Sequence, residues 1–352
     1  MGTPTTIFID TSIFDESAYN FNSASFKAFR SLVKSLKLKL LMPDPTAREI
    51  RRHISERSHT AVKSIQDAAR RAPFLSQLDD WPLNKTTENA LVFDLIGHVE
   101  KQSADFYAIF EVHTLDYAGI NIVEIMNWYD WEQAPFSDRK KSEFPDAFCV
   151  AILNEYHKAT SENIAVISRD GDFKSACEKY KHLLYFPSLA SYAEALQRED
   201  ERVDRIHELL SKDDSIVRKS ISEQFQDLSF FIEANWEGDA EDIEVTDFDE
   251  LEYHVVGIGD HSYIISFTAE ISFSAYVSYW DLETATYDEG DVIPWHKIEG
   301  LVETTTSVSG TLKIATDEKE RAIIECHSTE FDQDSIEIDT KPDEVSGDTI
   351  LN

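Results

Sequence analysis

The sequence predicts an α/β protein whose first half forms a mostly parallel sheet flanked by helices. A helical connector and a second, antiparallel β-rich domain are expected to follow. Short apolar segments alternate with segments of helical spacing in the first half, which is typical of βαβ units. The second half contains a long segment that alternates apolar and polar residues, and charge divides the chain in the same way. Residues 1–200 carry a net charge of −6, and residues 201–352 carry −28 of the total of −34.

The first 190 residues are predicted to form the α/β domain, with a helical insert around residues 73–135. The predicted strands are short and apolar: Thr5–Ile9, Leu38–Met42, Asn163–Ser168 and Leu183–Phe186. The predicted helices have apolar residues three and four positions apart: Phe21–Leu36, Pro45 to about Arg71, Ala90–Phe110, Asp146–Lys158 and a last one from Phe173.

The remaining residues are predicted to form three segments. Residues 191–236 have a helical pattern and are expected to be a connector. The acidic run over 237–252 is expected to contain the domain boundary, and residues 237–340 are expected to form an acidic β-rich domain. Its main strand is predicted from the alternation of apolar residues between Tyr263 and Tyr279. Residues 341–352 are expected to be a disordered tail.

Composition limits the function classes. The three cysteines are far apart in sequence and lie in apolar segments, which favours buried, reduced thiols over a disulfide or zinc site. No segment is long and apolar enough to span a membrane, and no signal peptide is recognisable, so we expect a cytoplasmic protein without a membrane partner.

Acidic residues fall where an α/β sheet gathers its ligands. Asp10 and Asp170 follow two predicted strands, and the carboxyl ends of parallel strands share one edge of the sheet. Glu49 and Asp146 lie in the first turns of two helices, and Asp172 follows Asp170. Carboxylates that share a site repel one another, and a divalent cation such as Mg²⁺ or Mn²⁺ relieves that repulsion. Such a cation can activate water against a phosphodiester.

Each of these acids also has an ordinary structural interpretation. Asp10 could cap a turn, and Asp170 could cap the helix that follows it. Glu49 could form an ion pair along its own helix, and Asp146 could be an acid favoured by the helix dipole. The joint pattern favours function over four independent structural roles.

Four segments resemble the motifs of PIN-domain nucleases, in order and in approximate spacing: Ile7–Ser12, Ala47–Ile50, Phe144–Ala147 and Ser168–Phe173. The third is most similar to PIN-like domains in which a Lys/Arg-rich stretch precedes Phe-Pro-Asp. The resemblance covers about residues 5–190. The interval between Glu49 and Asp146 is longer than in compact PIN toxins, which implies a helical insert.

The resemblance implies a PIN-like, metal-dependent endonuclease, and single-stranded RNA is the expected substrate in preference to DNA. A toxin-like or antiphage effector and a housekeeping RNase all fit the chain, and the sequence leaves this choice open. The implied cofactor is Mg²⁺ or Mn²⁺. The implied catalytic metal ligands are Asp10, Glu49, Asp146 and Asp170, with Asp172 as an auxiliary ligand. Ser12 and Ser168 match positions where a small polar residue orients these ligands.

Basic residues near the implied ligands are the candidate contacts to nucleic acid, because phosphates need positive charge close to the metal. They are Arg48, Arg52, Lys140 and Lys141. Three nearby aromatic residues could stack on bases, but packing within the insert is the favoured interpretation: Trp128, Tyr129 and Trp131.

The acidic second half allows a different class of function. The alternative hypothesis is a catalytically silent PIN-like scaffold that binds a protein partner through the β-rich domain. The sequence leaves four possibilities open: a partner or inhibitor with a basic face, electrostatic shielding of the nuclease site, simple solubility, and a homo-oligomer.

Overall fold

The computed structural model describes residues 2–136, 143–232, 236–281, 284–288, 291–340 and 345–351. The chain divides into two compact units. The first consists of Met1–Asn22 and Phe29–Leu196, and the second of Ser23–Ala28 and Gln197–Asn352. No helix among these residues is both long and apolar enough to cross a bilayer.

The first unit contains a five-stranded, fully parallel sheet in the order β3-β2-β1-β4-β5. Its strands are β1 (Thr6–Ile9), β2 (Lys39–Pro43), β3 (Glu111–Leu115), β4 (Ile164–Ile167) and β5 (Leu183–Phe186). β1 and β4 are buried along their whole length at the centre of the sheet, as their unbroken apolar sequences require. The predicted parallel sheet is therefore confirmed.

Helices flank this sheet. They are α1 (Thr11–Glu16), α2 (Ala24–Leu36), α3 (Asp44–Arg71), α4 (Pro82–Lys85), α5 (Glu88–Tyr107), α6 (Ile122–Asp130), α7 (Phe144–Thr160), α8 (Gly171–Lys179) and α9 (Leu189–Gln197), with a 3₁₀ turn at Pro73–Gln77. α3 buries Ile50, Ile54, Ser58 and Val62, which recur every four residues along one face. α7 buries a continuous run from Cys149 to Asn154, so this helix is packed on more than one side.

The helical insert expected around residues 73–135 also contains a strand. β3 forms the edge of the sheet, and most of its residues are exposed or only partly buried. An edge strand of this kind needs no apolar run, so the apolar pattern gave no signal for it.

The second unit contains a long antiparallel sheet in the order β12-β11-β8-β7, with β14 also paired to β11. Its strands are β7 (Trp236–Ile258), β8 (Ser262–Asp281), β11 (His296–Thr316), β12 (Ile323–Phe331) and β14 (Ser346–Leu351). Two smaller pairs are β6 (Ser229–Ile232) with β13 (Ser335–Ile338), and β9 (Thr286–Asp288) with β10 (Asp291–Ile293). Alternate residues of β8 from Tyr263 to Tyr279 are buried, as the sequence alternation predicts.

The remaining helices of this unit are α10 (Glu201–Lys212) and α11 (Ser215–Gln226). Their buried residues, which include Ile206 and Ile221, belong to the same apolar core as the inward face of β8. The unit also includes the first residues of α2, where the Ser25 backbone N–H and hydroxyl donate to the Asp332 carboxylate at 2.8 and 2.6 Å.

The structure differs from the expected domain limits at three places. Most of the expected connector, 191–236, packs into the core of the second unit because the apolar faces of α10 and α11 need the sheet to bury them. The acidic run over 237–252 lies within β7 and does not separate the units. The expected disordered tail contains β14, which pairs with β11.

Gly310 provides a test of the packing of the second unit. An added Cβ at this position would lie 2.2 Å from the Glu330 carbonyl oxygen and 2.9 Å from the Phe267 ring. We expect Gly310→Ala to lower the free energy of unfolding by about 1–3 kcal/mol, the usual cost of overpacking. Chemical denaturation followed by circular dichroism measures it.

Gly97→Ala is the matched control, because an added Cβ on this exposed turn of α5 meets nothing within 4 Å. It should be neutral or raise the stability by up to about 1 kcal/mol. Equal denaturation midpoints for Gly310→Ala and the unchanged protein would contradict the packing described for β11, β8 and β12.

Candidate active site

Asp10 follows β1 and caps the first turn of α1. Its side chain is only 5% exposed, and one carboxylate oxygen accepts hydrogen bonds from the Ser12 hydroxyl at 2.5 Å and the Ser168 hydroxyl at 2.8 Å. The Ser12 backbone N–H donates to the same oxygen at 3.3 Å. Since β1 and β4 are neighbours, Asp10 and Ser168 lie at adjacent strand ends. Burial raises the pKa of Asp10, and these hydrogen bonds oppose that rise.

Asp170 lies beyond β4 and caps α8, where its carboxylate accepts a 2.7 Å hydrogen bond from the backbone N–H of Asp172. The Asp170 backbone N–H donates to the Ser168 hydroxyl at 3.0 Å, and the Arg169 N–H donates to the Ser12 hydroxyl at 3.1 Å. The two serines therefore join the turn after β1 to the turn after β4.

Glu49 lies in the second turn of α3. One of its oxygens accepts a 3.1 Å hydrogen bond from the Thr11 hydroxyl, next to Asp10. Its other oxygen accepts a 3.1 Å hydrogen bond from Arg52 and lies 3.8 Å from Nε2 of His53. Glu49 thus forms an ion pair along its own helix, as its ordinary structural interpretation predicts. It also contacts Thr11, the residue after Asp10.

Asp146 lies in the first turn of α7 and is strongly affected by the other acids. Burial, followed by the charges of Asp10, Asp170, Glu49 and Asp172, raises its pKa to about 8. The other four acids singled out in the sequence therefore lie within electrostatic range of Asp146. This is the pattern expected where like charges are confined without a counter-ion.

The acids are near one another but are not arranged as ligands of a single ion. Within the described ranges, no group of three or more histidine, cysteine, aspartate or glutamate side chains is close enough to hold a metal. The oxygens of Glu49 are engaged by Thr11 and Arg52. The donor set is nevertheless made of carboxylate oxygens, which suits Mg²⁺ or Mn²⁺. After burial, the negative charges of the four other acids raise the pKa of Asp146, and a divalent cation would offset those charges.

A hydrogen-bond network around His53 was not predicted from the sequence. Nδ1 of His53 lies 2.9 Å from a carboxylate oxygen of Asp15 and 3.1 Å from the Tyr19 hydroxyl. Because a carboxylate only accepts, Nδ1 carries the proton, and Nε2 can accept the 3.2 Å contact from Arg52. Arg57 pairs with the other oxygen of Asp15 at 3.2 Å. The only sequence signal was the spacing of four residues between Glu49 and His53.

The basic residues expected to bind nucleic acid have different surroundings. Nε of Arg48 donates to Asp44 at 2.6 Å, and Arg52 pairs with Glu49, so neither charge is uncompensated. Lys140 and Lys141, together with Arg139, lie outside the described residues.

Of the three aromatic residues of the insert, two pack against neighbours and one is exposed. Trp128 is buried, and Tyr129 packs against Phe136 with ring centroids 5.4 Å apart. These two therefore pack within the unit, as expected. Trp131 is 75% exposed and does not fit that interpretation.

The raised pKa of Asp146 predicts how stability depends on pH. The unfolded chain releases this proton near its ordinary pKa of 3.8, whereas the folded chain keeps it until about pH 8. Without metal, stability should therefore fall as the pH rises through this interval. Asp146→Asn should flatten the dependence and, at pH 8 in EDTA, increase the free energy of unfolding by an amount on the order of 1 kcal/mol. Thermal unfolding between pH 5 and pH 8 measures it.

Asp79→Asn, at an exposed position of the insert, is the control and should keep the pH dependence of the unchanged protein. The same pH dependence in Asp146→Asn and in the unchanged protein would show that Asp146 does not share a confined acidic site.

Comparison with known proteins identifies this region. Residues 7–173 match the family model described as a PIN domain. No curated protein and no solved structure matches the chain at the significance threshold applied. PIN domains are usually nucleases, and they generally use divalent metals such as Mg²⁺ or Mn²⁺. The matched residues include Asp146 and the four acids around it, and residues 7–173 of this chain therefore carry a PIN domain.

Proposed function

We propose that this protein is an endonuclease that hydrolyses phosphodiester bonds with Mg²⁺ or Mn²⁺, and that its substrate is single-stranded RNA. The observation that supports it is the pKa of about 8 at Asp146, caused by burial and by four neighbouring carboxylates in a PIN domain. Confined carboxylates of this kind favour binding of a divalent cation and occur where catalysis needs one.

In this proposal the residues of the site have two roles. Asp10, Glu49, Asp146 and Asp170 would hold the cation, and Asp172 would assist them. Ser12 and Ser168 donate to Asp10 and fix the orientation of its carboxylate. When bound, the cation activates water and offsets the charge of the leaving oxygen.

Asp146 would also make metal binding depend on pH, because it must lose its proton to bind a cation. Its raised pKa means that proton release and metal binding are coupled near neutral pH. Glu49 would hold the cation with a carboxylate that accepts a hydrogen bond from Arg52 in the structure. With the charge of Glu49 offset by the cation, the Arg52 guanidinium would be available to a phosphate of the substrate.

Substitution of the acids tests the proposal. With labelled single-stranded RNA and Mn²⁺, we expect Asp10→Asn and Asp146→Asn to cleave at least about 100-fold more slowly than the unchanged protein, since weakening even outer contacts of a metal site costs 10–100-fold. EDTA should abolish cleavage by every variant. The rate of product formation on RNA and on DNA of the same sequence measures both activity and substrate class.

Asp79→Asn is again the matched control and should cleave at the unchanged rate. If all four proteins cleave equally, the activity does not come from these acids and the mechanism is wrong. Faster cleavage of DNA than of RNA would correct the substrate class and leave the site assignment intact.

A second candidate function is a scaffold that binds a protein partner through the second unit. β7 carries eight exposed carboxylates over residues 239–252 and no lysine or arginine, so it presents dense negative charge to a partner with a basic face. Titration with Mn²⁺ separates the two functions. A nuclease should bind the ion saturably and lose that binding in Asp170→Asn, whereas a scaffold need not bind it at all.

A further inference from the structure

Tyr117 lies in a hydrogen-bonded turn between β3 and α6. The Asp116 carboxylate accepts a 2.8 Å hydrogen bond from the Ala118 N–H, and the Tyr117 carbonyl accepts one from the Ile120 N–H at 3.4 Å. Gly119 completes this turn with a φ of +83°, a conformation that glycine adopts without strain. The backbone that carries Tyr117 is therefore fixed by local hydrogen bonds.

The Tyr117 side chain packs through its ring, yet 41% of the residue is exposed. Burial, followed by the Asp44 carboxylate at the start of α3, raises the pKa of the Tyr117 hydroxyl, so Asp44 lies near that hydroxyl. The Tyr117 ring packs edge-to-face against Phe148 of α7, with centroids 5.7 Å apart and planes at 86°. An exposed aromatic ring fixed in this way loses little conformational entropy when a flat ligand stacks on it.

Arg48 lies within electrostatic range of Tyr117, and both side chains interact with Asp44. Nε of Arg48 donates to the Asp44 carboxylate at 2.6 Å, and the Arg48 side chain is 72% exposed. Because Asp44 compensates the charge of Arg48, the pair attracts a phosphate only weakly. Tyr117, Arg48 and Asp44 together offer an aromatic face, planar donors and an acceptor. This combination matches a nucleobase.

The ring is also close to the acidic site. Arg48 directly precedes Glu49 on α3, and the Cys149 thiol lies within electrostatic range of Tyr117 as well as of Asp146, Asp10 and Glu49. A strand of nucleic acid at the acids could therefore place a neighbouring base on Tyr117.

We propose that Tyr117 and Arg48 form a stacking subsite for one unpaired nucleobase next to the acidic site. This inference rests on the proposed nuclease function and adds to it how a single strand is held. A paired base cannot use the subsite, because both of its faces are already stacked within a duplex. RNA and DNA share the base, so the subsite accepts either, and the two are compared in the test.

The test measures binding without cleavage. The full-length protein in EDTA is titrated into single-stranded RNA and DNA dodecamers that carry 2-aminopurine, with fluorescence anisotropy for affinity and 2-aminopurine quenching for stacking. Tyr117→Leu should weaken binding about 5- to 150-fold, the range measured for one base–aromatic stack, and should remove the quenching. Tyr117→Phe keeps the ring and should bind within about threefold of the unchanged protein.

Phe93→Leu is the matched control, because Phe93 is 73% exposed on α5 and should affect neither signal. Unchanged affinity in Tyr117→Leu, an equal loss in Phe93→Leu, or no binding of either dodecamer by the unchanged protein would overturn the subsite. A fully base-paired duplex that quenches as strongly would also overturn it.

Cleavage with Mn²⁺ is measured separately, so the two proposals fail separately. A protein that does not cleave but loses binding in Tyr117→Leu retains the subsite without the nuclease. A protein that cleaves with an unchanged KM in Tyr117→Leu is a nuclease without the subsite.

Discussion

The buried carboxylate of Asp10 and its two serine hydroxyls are the interaction on which the rest of the N-terminal unit depends. An ionised carboxylate in a protein interior is costly unless hydrogen bonds or positive charge compensate it. Ser12 and Ser168 supply hydrogen bonds from two different strand ends, so the compensation works only while β1 and β4 stay in register. The correct register of the central strands is thus also a requirement for the position of the Asp10 carboxylate in the site.

Much of this arrangement could be predicted from the sequence. Asp10 and Asp170 follow uninterrupted apolar strands, and parallel strands bring their carboxyl ends together, so local pattern and topology point to the same place. Asp146 was predictable because Pro145 starts its helix. The pKa of Asp146 was not predictable, since it depends on burial and on four charges from three distant parts of the chain.

The features that could not be predicted share a physical cause. β3 is an exposed edge strand, and α10 and α11 have apolar faces whose partner, β8, lies far along the chain. Local periodicity shows that such a face exists and does not show what covers it. His53 and Tyr117 likewise owe their surroundings to tertiary contacts, with Asp15 for the first and Asp44 for the second.

The charge of the second unit has a structural use of its own. β7 is at an edge of its sheet, where unpaired backbone groups could recruit another strand. Its exposed carboxylates and the several register shifts in its pairing with β8 both discourage such recruitment. The repulsion among these carboxylates is weakened by salt, so this unit should tolerate ionic strength better than an average fold does.

The Ser168 hydroxyl has a consequence for how the N-terminal unit can evolve. It donates its one proton to Asp10 and accepts from the Asp170 backbone, so a single side chain ties the ends of two motifs that are 160 residues apart. Changes at Asp10 and at Asp170 therefore act on a shared neighbour and should show thermodynamic coupling in a double-mutant cycle. Selection acts on the pair of turns together, so a change at one of them alters which changes the other can tolerate.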